Sequence, residues 1–229
     1  MAMYNLWYQW WSYIIYDITD GYVHNQLKIA KVVPIFKSGD PRLPNNYRPI
    51  SLLSNFSKII EKVMHTRLSN FLEHNNLLSM SQFGFRKNHS TIHPMILLDN
   101  FVTDALNSKK YAMAIFCDLR KAFDTVNHTI LLSKLEKIGI RNRELKWFKN
   151  YLSGRRQFVS VNGVCSSFLE VLLGVPQGSI LGPLLFLIYI NDLPGCSNFF
   201  TLLFADDTTL LAKADSPEEL YSIANNELY

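Results

Sequence analysis

Two adjacent aspartates, Asp206 and Asp207, interrupt the apolar stretch LLFADDTTLL, which reads as a hairpin with apolar arms and an acidic tip. Like charges this close destabilise each other unless a cation neutralises them, and Mg²⁺ is the natural candidate. A third carboxylate, Asp118, ends the strand-like run Tyr111–Asp118. Two-metal phosphoryl transfer requires carboxylates that hold two ions roughly 4 Å apart. The three aspartates therefore predict such a site, although an acidic pair alone is also common in solvated turns.

Alternating and helical hydrophobic periods predict the elements that must position these carboxylates. Strands are expected at Lys31–Lys37 and Tyr47–Ser51, joined as a hairpin, and a strand pair at residues 158–161 and 168–172 across the turn Asn162–Gly163. Helices are expected at residues 56–72, capped by Ser54 or Asn55, then at 91–106, 130–138 and 143–152, near Ser179, and from Ser216.

Composition limits the class of protein. At 229 residues, 48% hydrophobic and 18% charged, the chain fits one domain or two small lobes. A net charge of +4 and a pI near 8.9 permit nucleic-acid binding without indicating it. Three dispersed cysteines lack zinc-type spacing. Neither the first twenty residues nor the apolar run Leu181–Ile190 reads as a signal peptide or a membrane span, so we expect an intracellular protein, nuclear or cytoplasmic, without a membrane partner.

Several motifs, in a fixed order, resemble those of reverse transcriptases. FCDLRKAFD (116–124), GVPQGSILGP (174–183) and FADD (204–207) resemble palm motifs, and YRPISL (47–52) and QFGFRKNHST (82–91) resemble fingers motifs. The resemblance covers about residues 27–215. It implies an α+β fold with right-hand polymerase fingers and palm, in which an antiparallel palm sheet packs on helices. We expect fingers at 25–107, a palm at 108–229 truncated before the later palm motif, no thumb, and an unassigned N-terminal extension at 1–24.

The resemblance assigns catalysis and metal binding to Asp118, Asp206 and Asp207. It implies two Mg²⁺ ions, with Mn²⁺ as a substitute. Asp124 is the competing carboxylate in the first palm motif. Because the family pattern places the ligand directly after the apolar strand, we expect Asp124 to be structural or to cap a helix.

Four residues are expected to bind the incoming dNTP. Arg48 is the first candidate for a triphosphate clamp, since its guanidinium can bind two oxygens at once. Lys37 is the second, and an ordinary exposed hairpin lysine explains it equally well. The resemblance makes Phe123 the ring that excludes a ribose 2′-hydroxyl, although a core phenylalanine would look the same in the sequence. Gln177 is expected to contact the nucleotide and the template base.

Arg86 and Gly178 are expected to contact the template or the primer. Arg86 belongs to a basic and aromatic cluster that suits a nucleic-acid backbone. Gly178 lies in the Pro-Gln-Gly turn, where glycine lets the backbone approach a ligand closely. His89, in the same cluster as Arg86, is more typical of a surface histidine.

The motifs match the jockey-like and LINE-like branch of non-LTR retrotransposons. Alanine lies between the aromatic residue and the aspartates of FADD, where methionine or valine is typical of retroviruses. The resemblance thus predicts an RNA-directed DNA polymerase that adds dNTPs to a DNA primer on an RNA template, and it leaves the oligomeric state open. The alternatives are a catalytically incompetent retroelement fragment and a nucleic-acid-binding scaffold with the same fold.

Overall fold

The structure of the protein, a computed structural model, describes residues 20–228, which divide into two units. One contains residues 20–71 and Phe123–Phe186, and the other contains Leu72–Ala122 and residues 187–228. Each unit therefore combines two separate stretches of the chain, whereas the predicted fingers and palm are successive stretches. Residues 1–19, most of the predicted N-terminal extension, lie outside the described residues.

The helices and strands are named in chain order. The strands are β1 (Ile29–Phe36), β2 (Tyr47–Leu52), β3 (Tyr111–Asp118), β4 (Arg155–Val161), β5 (Val164–Cys165), β6 (Leu169–Val171), β7 (Phe200–Phe204) and β8 (Asp207–Ala214). The α-helices are α1 (Asn55–His74), α2 (Ile92–Asn107), α3 (His128–Lys137), α4 (Asn142–Leu152), α5 (Gly182–Ile190) and α6 (Pro217–Leu228). Short 3₁₀ helices lie at Asn25–Lys28, Pro44–Asn46 and Leu193–Gly195.

The first unit is built on a mixed sheet. β1 and β2 form the predicted antiparallel hairpin, with Phe36 opposite Tyr47. These two rings also meet edge to face, with centroids 5.4 Å apart. β4 runs parallel to β1, and both β5 and β6 pair with β4. The predicted hairpin is therefore confirmed, and β1 pairs on its other side with a strand that is distant in the sequence.

The strand pairing after β4 differs from the prediction, which joined β4 directly to the strand that contains Leu169. The turn Asn162–Gly163 leads instead into the two-residue strand β5, and its residues have φ of 48° and 83°. Ser166 follows β5, and it contacts Val159 twice: its N–H donates to the Val159 carbonyl, and its Oγ accepts from the Val159 N–H, both at 2.9 Å. β6 pairs with an earlier part of β4, Arg155–Gln157.

The helices follow the predicted amphipathic segments, and their caps settle two boundaries. The Ser54 Oγ accepts from the Ser57 N–H at 3.1 Å, so Ser54 rather than Asn55 caps α1. The helix predicted from Ser179 begins at Gly182. The Ser179 Oγ accepts from the Gly182 N–H at 2.9 Å. Ser179 therefore caps α5, although it lies three residues before the first residue of the helix.

Helices α3 and α4 supply much of the buried apolar surface of the first unit. Leu131 and Leu135 of α3 are fully buried, as are Trp147 and Phe148 of α4. The Trp147 ring also stacks on Tyr151, with centroids 5.2 Å apart. This core fixes α4, and with it the start of β4 that follows.

The second unit is a three-stranded antiparallel sheet, in the order β3-β8-β7, between two helices. One face packs on α2 through a cluster centred on Phe83, Leu202 and Leu211. The other packs on α6 through a cluster that includes Leu210 and Leu220. Leu210 and Leu211 thus lie on opposite faces of the sheet, as the two-residue period of a strand requires. The predicted α+β class and the antiparallel sheet packed on helices are confirmed.

Among residues 20–228, no helix has the length and apolar character needed to cross a membrane. The apolar helix α5 has nine residues, most of them buried.

Candidate active site

The end of the second unit's sheet brings two predicted carboxylates together. Asp118 is the last residue of β3 and Asp207 the first of β8, and the antiparallel register places them directly opposite each other. Residues in this relation share one face of the sheet, with Cβ atoms about 4.5–5.5 Å apart. Both residues are exposed. The strands therefore present a pair of carboxylates to solvent.

Asp206, the third predicted carboxylate, lies in the tip of the hairpin formed by β7 and β8. Phe204 and Asp207 are the last paired residues, so Ala205 and Asp206 form a two-residue loop. Ala205 has φ of 60°, the left-handed value that a tight hairpin turn requires at its first position. Asp206 is half-buried. It follows that the tip carries one carboxylate and the strand after it another.

The Asp118–Asp207 pair has the donor chemistry of a magnesium site. Across residues 20–228, no group of three or more His, Cys, Asp or Glu side chains is gathered closely enough to hold a metal ion. Mg²⁺, however, is usually held by one or two carboxylates and by substrate phosphates, rather than by a complete cage of protein ligands. Two exposed carboxylates on one sheet face fit that mode of binding, with Asp206 as the next carboxylate along the chain.

Gln82 is a functional candidate that the sequence interpretation did not single out. It is almost completely buried, at 1% exposure, and its side chain bonds to both backbone groups of Ala205. The sequence signal was only a glutamine beside two aromatic residues in QFGFRKNHST. Nothing in that pattern identifies its partner, which lies far along the chain.

The guanidinium of Arg86 forms hydrogen bonds with groups of the second unit. Its Nε and Nη2 donate to the two carboxylate oxygens of Glu73 at 3.1 and 2.8 Å, and its Nη1 donates to the Ser79 carbonyl at 3.0 Å. The Arg86 side chain is 7% exposed. Its hydrogen bonds to Glu73 also hold the pKa of that carboxyl below its usual value. This geometry favours a structural role for Arg86, and its template contact stays a prediction.

In the first unit, Asp124 orients Gln177. The Gln177 Nε2 donates to Asp124 Oδ1 at 2.9 Å. Gly174 packs so closely that an added Cβ would lie 2.7 Å from the Asp124 carbonyl oxygen. Helix α3 is capped by Asn127, whose Oδ1 accepts from the Thr129 N–H at 2.9 Å. Of the two roles predicted for Asp124, the structure thus favours the structural one over helix capping.

Phe123 is half-buried. Its ring lies 4.5 Å from that of Phe186 between centroids, tilted by 33°. The Phe123 carbonyl accepts from the Val175 N–H at 2.8 Å, which ties the first palm motif to the second. Phe123 therefore packs on a buried ring and, as a residue, keeps part of its surface exposed, which fits both a sugar gate and a core phenylalanine.

The two predicted phosphate-binding cations belong to the β1–β2 hairpin. Arg48 lies on β2 opposite Ile35. Lys37 follows β1 directly, and its N–H donates to the Asn46 carbonyl at 2.8 Å. Both side chains are exposed, as a phosphate clamp and an ordinary hairpin lysine both require.

Gly178 is required by packing in the first unit. Its φ is 117°, and an added Cβ would lie 2.6 Å from the Ser51 carbonyl oxygen. The Gln177 carbonyl accepts from the Ser51 N–H at 2.7 Å, so the turn rests on β2. Close backbone approach to β2 explains the glycine, and its template or primer contact stays a prediction.

A cavity of about 230 Å³ lies beside Gln177 and Asp124 in the first unit. Arg155 lines it and is 1% exposed. The Arg155 Nη1 donates to the Tyr151 carbonyl at 3.2 Å, but its Nη2 has no hydrogen-bond partner among the described residues. Buried donors are normally satisfied, so this guanidinium has capacity for a ligand oxygen.

A buried glutamate on α1 anchors the second palm motif. The Glu61 Oε1 accepts from the Tyr151 hydroxyl and its Oε2 from the Ile180 N–H, both at 2.7 Å. Burial raises the pKa of Glu61, and burial likewise raises the pKa of Tyr151, which keeps the phenol a donor. These contacts fix the chain just after the Gln177 turn.

Comparison with known proteins agrees with the motifs. The model of the reverse transcriptase (RNA-dependent DNA polymerase) family matches residues 35–225. The probable RNA-directed DNA polymerase from transposon BS of Drosophila melanogaster is 38% identical, over 86% of this chain and 22% of the relative. The RNA-directed DNA polymerase from mobile element jockey of the same species is 35% identical over the same shares. The chain thus spans about a fifth of the length of these curated relatives.

Solved telomerase structures share the fold. Apo telomerase from Candida tropicalis matches with a TM-score of 0.61, over 97% of this chain and 46% of that chain, at 13% identity. Telomerase from Candida albicans with a fragment of telomeric RNA matches with a TM-score of 0.62, over 89% and 39%, at 12% identity. At these identities the likeness concerns the fold alone, and it confirms the predicted polymerase fold.

Proposed function

This chain belongs to the reverse transcriptase family, and we propose that it forms part of the RNA-directed DNA polymerase of a jockey-like, non-LTR retrotransposon. In this proposal it adds dNTPs to the 3′-hydroxyl of a DNA primer on an RNA template. Its similarity to polymerases named for transposon BS and mobile element jockey supports the branch. The observation that carries the activity is the Asp118–Asp207 pair at the end of β3 and β8.

In this proposal Asp118, Asp206 and Asp207 hold two Mg²⁺ ions. Bound Mg²⁺ would activate the attacking hydroxyl oxygen and stabilise the leaving group. The carboxylates of Asp118 and Asp207 supply oxygens from paired strands, so their separation is set by the sheet rather than by a mobile loop. Asp206 adds a third carboxylate from the turn, close in the chain to this pair.

In the first unit, Arg48 would bind the triphosphate of the dNTP, with Lys37 as a second cation. Gln177 would contact the nucleotide and the template base. Its hydrogen bond to Asp124 supports this role, because it fixes the orientation of the amide. Phe123 would exclude the ribose 2′-hydroxyl with its ring.

The test is primer extension on poly(rA)/oligo(dT) with Mg²⁺ and dTTP, comparing the purified chain with the double variant Asp206→Asn, Asp207→Asn. We expect extension by the wild type and none by the double variant. The control is Asp215→Asn in the same unit, which removes an exposed aspartate paired with Lys110 at 3.3 Å. Extension by this control should equal that of the wild type.

Two alternatives have distinct outcomes in the same experiment. A folded wild-type chain that binds the RNA–DNA hybrid without extending it would support a nucleic-acid-binding scaffold. A folded chain that neither binds the hybrid nor extends it would support an incompetent fragment. Equal extension by the wild type and the double variant would contradict the assignment of the aspartates.

A further inference from the structure

The acidic tip of the β7–β8 hairpin contains a strained residue. Ala205 has φ of 60°, a left-handed conformation that residues other than glycine rarely adopt. Such a conformation costs free energy and persists only where its surroundings hold it. Ala205 directly precedes Asp206, so relaxation at Ala205 would redirect the carboxylates of the tip. The groups that hold Ala205 in this conformation therefore affect the directions of the carboxylates in the site.

The side chain of Gln82 holds both backbone groups of Ala205. The Gln82 Oε1 accepts from the Ala205 N–H at 2.9 Å, and its Nε2 donates to the Ala205 carbonyl at 3.3 Å. The same Oε1 also accepts from the Gly84 N–H at 2.8 Å. Two N–H donors at the oxygen and one carbonyl at the nitrogen permit only this orientation of the amide. Gln82 is 1% exposed, so water does not compete for these bonds.

The backbone on either side of this glutamine is fixed to β7. The Phe83 N–H donates to the Leu203 carbonyl and the Leu203 N–H donates to the Ser81 carbonyl, both at 2.8 Å. Gly84 lies directly against the tip, and an added Cβ there would be 2.2 Å from the Ala205 nitrogen. The amide therefore reaches the tip from a base that is itself anchored by main-chain hydrogen bonds.

We propose that Gln82 is a positioning residue for the acidic site, an inference that rests on the proposed polymerase function. Its hydrogen bond to the Ala205 carbonyl fixes the peptide plane between Ala205 and Asp206. That plane sets the directions in which Asp206 and Asp207 leave the turn. Without the amide, the tip spends less time in the arrangement that binds metal. The apparent affinity for metal falls in proportion to the fraction of molecules in that arrangement.

The test uses Gln82→Met, which keeps the length of the side chain and removes its hydrogen bonds. Mn²⁺ binding to the nucleic-acid-free chain is measured by electron paramagnetic resonance, together with the Mg²⁺ concentration that gives half-maximal primer extension. We expect the dissociation constant for Mn²⁺ and this Mg²⁺ concentration both to rise about tenfold, the lower end of the effect typical of residues that orient metal ligands. We also expect kcat to fall while KM for dTTP changes little.

The matched control is Asn191→Leu in the same unit. Asn191 also makes two backbone hydrogen bonds, from the Ser79 N–H to Oδ1 and from Nδ2 to the Leu77 carbonyl, both at 2.8 Å. Its loss should lower the unfolding temperature and leave Mn²⁺ binding unchanged. If lower stability alone weakened metal binding, this variant would weaken it as Gln82→Met does.

The outcomes separate this inference from the proposed function. Unchanged metal affinity and unchanged extension in folded Gln82→Met would overturn the positioning role and leave the polymerase proposal intact. A wild-type chain that neither binds Mn²⁺ nor extends a primer would overturn both. If Gln82→Met does not fold, Gln82→Asn replaces it, because its side chain is one methylene too short to reach Ala205 and Gly84 together. The same weakening is expected for it, and unchanged affinity would again overturn the role.

Discussion

At the scale of single residues, the candidate site consists of groups that make the chain less stable when no ligand is bound. Asp118 and Asp207 are like charges directly opposite on paired strands, an arrangement that destabilises a sheet. Ala205 adds backbone strain in the turn beside them. A fold selected only for stability would replace these residues. Their combination at one end of one sheet supports the proposed cation-binding site.

Replacing Asp207 with Asn should therefore have opposite effects with and without metal. In EDTA, Asp207→Asn should raise the free energy of unfolding by up to about 1 kcal/mol, because it relieves the repulsion with Asp118. In Mg²⁺ the wild type should gain stability that the variant does not. Thermal denaturation in both buffers measures the two effects. The control Asp215→Asn should keep the wild-type response to Mg²⁺, and an equal response in Asp207→Asn would contradict the metal assignment.

Phe123→Val should admit ribonucleotides, because the smaller side chain makes room for a 2′-hydroxyl. The matched control is Phe186→Leu, which removes the other ring of the 4.5 Å pair and leaves Phe123 in place. Both variants should lose stability, on the order of 1–2 kcal/mol. Only Phe123→Val should change the ratio of rUTP to dTTP incorporation. Unchanged discrimination in a folded Phe123→Val chain would make Phe123 a core residue.

At the scale of elements, the sequence predicted what local patterns determine. The strand Tyr111–Asp118 was predicted with its observed bounds, because an apolar run that ends in a carboxylate is a local signal. Pairing depends on partners elsewhere in the chain, so the parallel contact of β4 with β1 was not predicted. The contacts of Gln82 and Glu61 were missed for the same reason. A buried polar side chain is recognisable only when its hydrogen-bond partners are known.

The network around Glu61 predicts a pH dependence of stability. Burial raises the pKa of Glu61 above its ordinary value of 4.5. Its contribution to stability is therefore complete below about that pH and is lost as the pH rises through the higher pKa of the folded state. Glu61→Gln should remove this loss, so its stability relative to the wild type should increase with pH. Denaturant unfolding at several pH values above 4.5 measures the trend.

Glu73→Gln is the control with the opposite sign. The hydrogen bonds from Arg86 lower the pKa of Glu73 below 4.5. Its contribution is therefore present above that value and is lost as the pH falls through the lower pKa of the folded state. As the pH falls below 4.5, Glu73→Gln should lose less stability than the wild type. Above pH 4.5 its stability should have the same pH dependence as that of the wild type. Parallel pH profiles for the wild type and Glu61→Gln would contradict the role of burial at Glu61.

At the scale of the whole molecule, the two sets of candidate residues belong to different units. The predicted nucleotide-binding residues lie in the first unit, and the aspartates lie in the second. The division passes through the first palm motif, between Ala122 and Phe123. The composition of the sequence does not change at that point. Each unit also combines two separate stretches of the chain. A prediction that divides the sequence into successive fingers and palm segments therefore could not reveal this division.

This distribution predicts that nucleotide affinity and metal affinity can be altered separately. Arg48→Lys keeps the charge and loses the forked guanidinium, so KM for dTTP should rise about tenfold. Mn²⁺ binding to the nucleic-acid-free chain should not change, because the aspartates are untouched. The control Arg42→Lys alters an exposed arginine of the same hairpin, paired with Asp40 at 3.0 Å, and should change neither quantity. Should Arg48→Lys weaken Mn²⁺ binding instead, or leave KM for dTTP unaltered, Arg48 would not be the triphosphate clamp, and Lys37 would become the first candidate.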